Sequence, residues 1–201
     1  MTPTLRTAPQ PNERIELAST TASIQSHRVF VAGAPIEPYR SNNWPLAAMG
    51  STPGSQPGSL NFAQVPARFR DSLKHVMWLF INSPTPASWM NRDGNSSPEW
   101  PGSGSLLVYF GYLKGILRLV DQLETDPQLP IRRLTDLDGA HLEELKLAIE
   151  ANDEWAVKTQ NNIKTMLVRI PHWNQQLPDQ HQWSDPGWTA DEYLTAVSRA
   201  G

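Results

Sequence analysis

The sequence has no cysteine among its 201 residues. That excludes disulfides, thiolate zinc sites and a thiol nucleophile, and it suits a reducing compartment. Long apolar runs are missing too. No stretch approaches the roughly 20 residues that a membrane-spanning helix needs, and the start, MTPTLRTAPQPNER, has no apolar segment of the signal-peptide kind. The expectation is a soluble, cytoplasmic protein without membrane contact. Charge is sparse, with 18% Asp, Glu, Lys and Arg and a net charge of −3. No global basic excess announces a nucleic-acid binder, so any such affinity needs a local patch. Histidines are scattered at positions 27, 75, 141, 172 and 181. None forms the i, i+4 pair of a helical zinc site, so neither a metal nor another cofactor is expected. Gly-x-Ser-x-Gly elbows, Gly-x-Gly-x-x-Gly turns and P-loops are absent. Asp136 and Asp138 stand close together in TDLD, but a helix cap explains them. Nothing in the chain reads as an enzyme.

Proline and tryptophan are abundant, 18 and 8 residues respectively. Much of the proline lies toward the ends, which divides the chain into three parts. Residues 1–64 read as a mostly extended or disordered arm rich in Thr, Pro, Ser and Gly, with RVFVAGAP (Arg28 to Pro35) as one short strand or an extended anchor and Trp44 as a packing anchor. Residues 65–170 read as helical. Residues 171–201 form a Trp-rich tail with one short helix, capped by Thr189 with Glu192 as its capping-box partner.

Four main helices are expected in the central part. The first begins near Pro66, a residue suited to an opening turn, and places Phe69, Leu73, Val76 and Phe80 on one face. Arg70, Lys74 and Trp78 fall near the opposite side. A polar loop follows. The second helix, within PGSGSLLVYFGYLKGILRLVDQL (Pro101 to Leu123), aligns Leu106, Phe110, Leu113, Leu117 and Val120, with Lys114, Arg118 and Asp121 on another face. Pro127 and Pro130 forbid its continuation. The third, capped by Thr135 or Asp136, carries Leu142, Leu145 and Ile149. The fourth runs from about Asn152 to Ile170 and buries Ile163, Met166, Leu167 and Ile170, with Trp155 at the edge. Lys158, Asn161, Thr165 and Arg169 share its far side. The fold class is therefore all-α: a compact bundle of four main helices with long irregular N- and C-terminal flanks.

The order LNFAQVPARFRDSLKHVMWLFI, SLLVYFGYLKGILRLVDQL, LPIRRLTDLDGAHLEELK and WSDPGW resembles the N-terminal part of tyrosine recombinases, the phage-type site-specific integrases, over about residues 44–190. In that family a helical core-binding domain of SAM-like fold precedes the catalytic domain. Ser105, Phe110, Leu113 and Leu117 match the capped, aromatic and leucine-bearing second helix. Leu134 to Asp138 match a frequent helix start. These are packing and capping signals. The family's catalytic arginines, lysine and tyrosine belong to a domain C-terminal to this region and are expected to be absent. Tyr193 lacks their framework and is not a credible nucleophile.

The resemblance implies that helix faces touch double-stranded DNA in integration or recombination. Lys and Arg neutralise phosphate, and Asn or Thr can reach base edges. The candidate DNA contacts are Arg70, Lys74, Lys114, Arg118, Lys158, Asn161, Thr165 and Arg169. A recombinase catalytic half, or another copy of the chain, is a further expected partner. The competing readings are a helical protein-interaction module, with the Trp-rich tail as its surface, and a truncated, non-functional integrase remnant. Between Val65 and Ile170 the basic residues do not outnumber the acidic ones. The bland explanation of each cation is thus the polar face that any amphipathic helix has. Convergence of the basic residues of the first, second and fourth helices on one face would favour DNA. Scattered cations with outward tryptophans would favour a protein partner.

Overall fold

The computed structural model describes residues 39–47, 58–90, 101–123 and 131–194. The candidate strand at Arg28 to Pro35, the first 28 residues, most of the polar loop and the Pro127 and Pro130 stop lie outside them. Six α-helices are described, joined by short 3-10 helices: α1 (Arg70–Asn82), α2 (Ala87–Met90), α3 (Ser103–Leu123), α4 (Gly139–Glu150), α5 (Val157–Arg169) and α6 (Ala190–Tyr193). The four long ones, α1, α3, α4 and α5, are the bundle. The described residues are mostly helical, and the one sheet among them is a small antiparallel pair of β1 (Asn43–Pro45) and β2 (Ser59–Asn61). Its register sets Trp44 opposite Leu60.

The apolar spacing of α3 does what its pattern dictates. Leu106, Phe110, Leu113, Leu117 and Val120 are buried, and Ile116 joins them. Each such side chain contributes about 1.5–3 kcal/mol by leaving water. On α5, Ile163, Met166, Leu167 and Ile170 face the core as expected. The helix starts later than its sequence suggests. Asn152 accepts a hydrogen bond from the Glu154 amide in a preceding turn, and helical backbone begins at Val157. Trp155 packs its ring where Gly115 leaves α3 bare. At α4 the cap is Asp138, whose carboxylate accepts from the His141 amide at 3.0 Å. Asp136 instead accepts from the amides of Arg132 and Arg133 at 3.0 and 2.8 Å, so it ties down the turn ahead of the helix. The capping box of α6 is present as expected, Thr189 with Glu192.

The flanks are not appendages. Tyr39, Trp44, Leu46, Leu60 and Phe62 belong to the same hydrophobic core as the bundle, and so do Trp173, Leu177, Trp183, Trp188 and Tyr193. The tail is fastened by a side-chain bracket. Asn174 donates to the Trp183 carbonyl at 2.8 Å and accepts from its amide at 3.0 Å. The Trp188 indole donates to Glu143 on α4 at 3.1 Å. Flanks on both sides bury α1 all round: every residue from Ser72 to Asn82 is inside. The spacing predicts a helix buried on one side only, yet Trp78 on the supposed outer side is 6% exposed.

Where the N-terminal turn, α1 and the tail meet, two imidazoles stack. The rings of His75 and His181 lie 4.1 Å apart at 22°. The Nδ1 of His75 faces the Asp71 carbonyl at 2.9 Å. A carbonyl only accepts, so the proton sits on Nδ1, and the Tyr39 hydroxyl oxygen, also at 2.9 Å, shares it. Ser72 Oγ and His181 Nδ1 are 3.0 Å apart. Burial lowers the basicity of both histidines.

Candidate nucleic-acid interface

The eight candidate contact residues do not share one surface. Asn161 is buried, and Thr165 turns its hydroxyl back to the Asn161 carbonyl at 2.8 Å. Arg169 is 4% exposed and lies among aromatic rings. Lys158 alone of that set is exposed. The expected fourth-helix stripe is therefore corrected: Lys158 reaches solvent, Thr165 is half-buried, and Asn161 and Arg169 are buried. Lys74 is corrected likewise. It is 4% exposed and donates to the Arg40 carbonyl at 3.1 Å. Burial, ahead of the neighbouring Arg70 charge, pulls its ammonium below the usual lysine range, while Asp71 opposes that.

The remaining three converge. The short 3-10 turn Phe62–Gln64 is gripped from two sides. Arg70, at the start of α1, donates its Nε to the Phe62 carbonyl at 2.9 Å and an Nη to the Val65 carbonyl at 3.5 Å. From α3, Lys114 donates to the Gln64 side chain at 2.7 Å, and Arg118 donates to the Gln64 carbonyl at 3.2 Å. Partial burial and the adjacent Arg118 charge both lower the Lys114 pKa. Repulsion of that kind means two cations held close together.

Sequence reasoning missed how this cluster extends. Arg68 donates to the Ile131 carbonyl at 3.0 Å and pairs with Asp121 at 2.9 Å. That brings the segment beginning Ile131-Arg132-Arg133 alongside, and both of those arginines are exposed. Neither Arg68 nor the Arg132–Arg133 pair shows a helical stripe, because one lies in a 3-10 turn and the others in a loop. The doublet in LPIRRL was the available signal. Asp121 and Asp136 temper the patch, each already engaged. Acidic side chains gather elsewhere, along α4 and the turn behind it: Glu143, Glu144, Glu150, Asp153 and Glu154. Chemically the patch can neutralise phosphate, and Gln64, exposed at its centre, offers an amide to hydrogen-bonding groups.

Among the described residues Trp44, Trp78, Trp89, Trp173, Trp183 and Trp188 are each 6% exposed or less and Trp155 is half-buried, so the described part of the tail offers no outward aromatic surface of the kind a partner-docking reading required. Among the described residues no group of three or more His, Cys, Asp or Glu could hold a metal ion. No helix of the described residues is long and apolar enough to cross a membrane. No family model, curated protein or solved structure matches this chain.

Proposed function

We propose that the chain is a helical DNA-binding module of the kind that precedes the catalytic domain in tyrosine recombinases, with a SAM-like bundle as its frame and duplex phosphates as its ligand. The observation that carries this reading is the cluster of Arg68, Arg70, Lys114 and Arg118 around the Phe62–Gln64 turn, with Arg132 and Arg133 beside it. A local patch on an otherwise acidic chain gives orientation as well as attraction, since the acidic α4 side is repelled. The module binds; strand cleavage is the work of the catalytic domain that such modules accompany. The second reading, docking on a protein through the Trp-rich tail, finds no outward aromatic surface among the described residues.

The test is binding of the purified chain to a mixed-sequence labelled duplex across a salt series. Binding should weaken linearly in log–log form, and Lys114→Ala/Arg118→Ala should lower the slope by about 2, at roughly 0.9 for each phosphate that is no longer neutralised. Arg132→Ala/Arg133→Ala should do the same, whereas Lys158→Ala should change little. Absence of binding at low salt, or equal weakening in the Lys158 variant, would overturn the proposal. Circular dichroism checks that each variant is folded.

A further inference from the structure

Arg169 ends α5 with its guanidinium inside the protein. The guanidinium carbon lies 4.7 Å from the ring centre of Tyr109, 5.4 Å from Trp173, and 5.7 Å from both Phe80 and Trp89. Its Nε and Nη2 are buried and make no hydrogen bond. These two N–H groups point the same way along one edge of the planar group, the edge that takes two oxygens side by side. The indole N–H of Trp173 is also buried and unpartnered. So one edge of a buried guanidinium has two donor nitrogens without an acceptor, and the neighbouring Trp173 indole has none either.

The rings do not balance this. A cation against aromatic faces is only weakly stabilised. Burying a guanidinium with its donors unmet costs more than the rings return. An anion with two adjacent oxygens would remove the deficit. A monocarboxylate is the better match than a phosphate. It is planar, like the guanidinium edge it would face, and its single charge leaves the box of rings and guanidinium neutral. A doubly charged phosphate would leave net negative charge against the negative faces of the rings.

We propose that the Arg169 box is a receptor for a small organic monocarboxylate, held side-on by Nε and Nη2. Because neither nitrogen is exposed, entry requires one wall to move. That wall is Trp89, the one ring of the four carried on a four-residue helix, α2. Its helix is held to the tail by Ser88 Oγ and His172 Nδ1 at 2.9 Å and by the edge-on packing of Trp89 on His172. The site lies apart from the basic patch and does not depend on DNA binding.

The experiment follows the melting temperature of the full chain against sodium acetate and sodium propionate, with chloride making up constant ionic strength. The wild type should rise by several degrees with carboxylate beyond the chloride control, with saturation. Arg169→Met, which fills the box without charge, should fold and show no carboxylate-dependent rise. Arg169→Lys, lacking the side-on edge, should respond weakly. An equal response in wild type and Arg169→Met would overturn the proposal, as would a wild type indifferent to carboxylate. Asp93 and Glu99 lie between Trp89 and Pro101 in the sequence. A response that appears only in Asp93→Asn/Glu99→Gln would mean that the chain supplies its own carboxylate, and would equally overturn an external ligand.

Discussion

Acid should loosen this protein through the stacked histidines. His181 is pushed down to about 4, first by burial and then by the neighbouring His75, with Asp71 acting the other way. His75 is lowered by burial against the opposing pull of the Asp71 carbonyl and carboxylate. Both imidazoles are therefore neutral when folded, over a range in which the unfolded chain holds protons. Between the unfolded value near 6.5 and the folded value near 4, the unfolded state binds more protons, so stability rises with pH through that window and is lost as pH falls. A full shift of this size corresponds to about 3 kcal/mol at 1.36 kcal/mol per pH unit. His181 is partly exposed, and solvent screening reduces its share to about 1–2 kcal/mol. His75 adds in the same direction. The assay is urea unfolding at closely spaced pH values from 7 to 4, on wild type and on His181→Phe, which keeps a stacking ring and removes the titration. The variant should have a visibly flatter pH dependence over 6.5 to 4. Carboxylates held low by backbone amides, such as Asp138 and Glu192, act alike in both proteins and cancel in the difference. Identical slopes in the two proteins, or stability that increases on acidification, would refute the reasoning.

Three further outcomes are expected. Lys164 is completely buried and pairs with half-exposed Glu150 at 2.6 Å; Glu150→Gln should cost about 2–4 kcal/mol in urea unfolding, while Lys164→Met, which removes the buried charge itself, should cost less. Leu117→Ala, at a fully buried position of α3, should cost about 2–5 kcal/mol, read as a lower denaturation midpoint at unchanged m-value. Gly187 has φ of +66° with open space around a would-be Cβ, so Gly187→Ala should cost about 1–2 kcal/mol from backbone strain alone, seen as a small drop in melting temperature.

Helical periodicity was legible wherever one side of a helix meets water. The α3 stripe of Leu106, Phe110, Leu113, Leu117 and Val120 could be read off because its other side carries exposed Val108, Gly111 and Arg118. On α1 and α5 the same method failed at Lys74, Asn161 and Arg169. Periodicity tells which side of a helix a residue takes. It does not tell whether a flank of the chain comes back to cover that side. Here both flanks do, and they bring polar partners such as the Arg40 carbonyl for Lys74. The buried Lys164 escaped notice for the same reason. Of the basic patch, Arg70, Lys114 and Arg118 stood on readable helices. Arg68, Arg132 and Arg133 lie where chain direction changes and no period applies, so only the tertiary contact of Arg68 with Ile131 reveals their company.

The meeting of Tyr39, His75 and His181 also bears on how the chain acquires its structure. Ser72 and His181 are 109 positions apart, and Tyr39 and His75 are 36 apart. Local helices can flicker into being as they are made, but the faces of α1 are not closed until the residues near 181 have been synthesised. Contacts of such wide separation slow the search, because loop entropy must be lost before they reward it. A nascent chain lacking the tail exposes α1 and the apolar sides of its neighbours, a species prone to association. Closure of the interior therefore waits until the residues near 181 have emerged, with the tryptophans of that segment as the pieces that complete it.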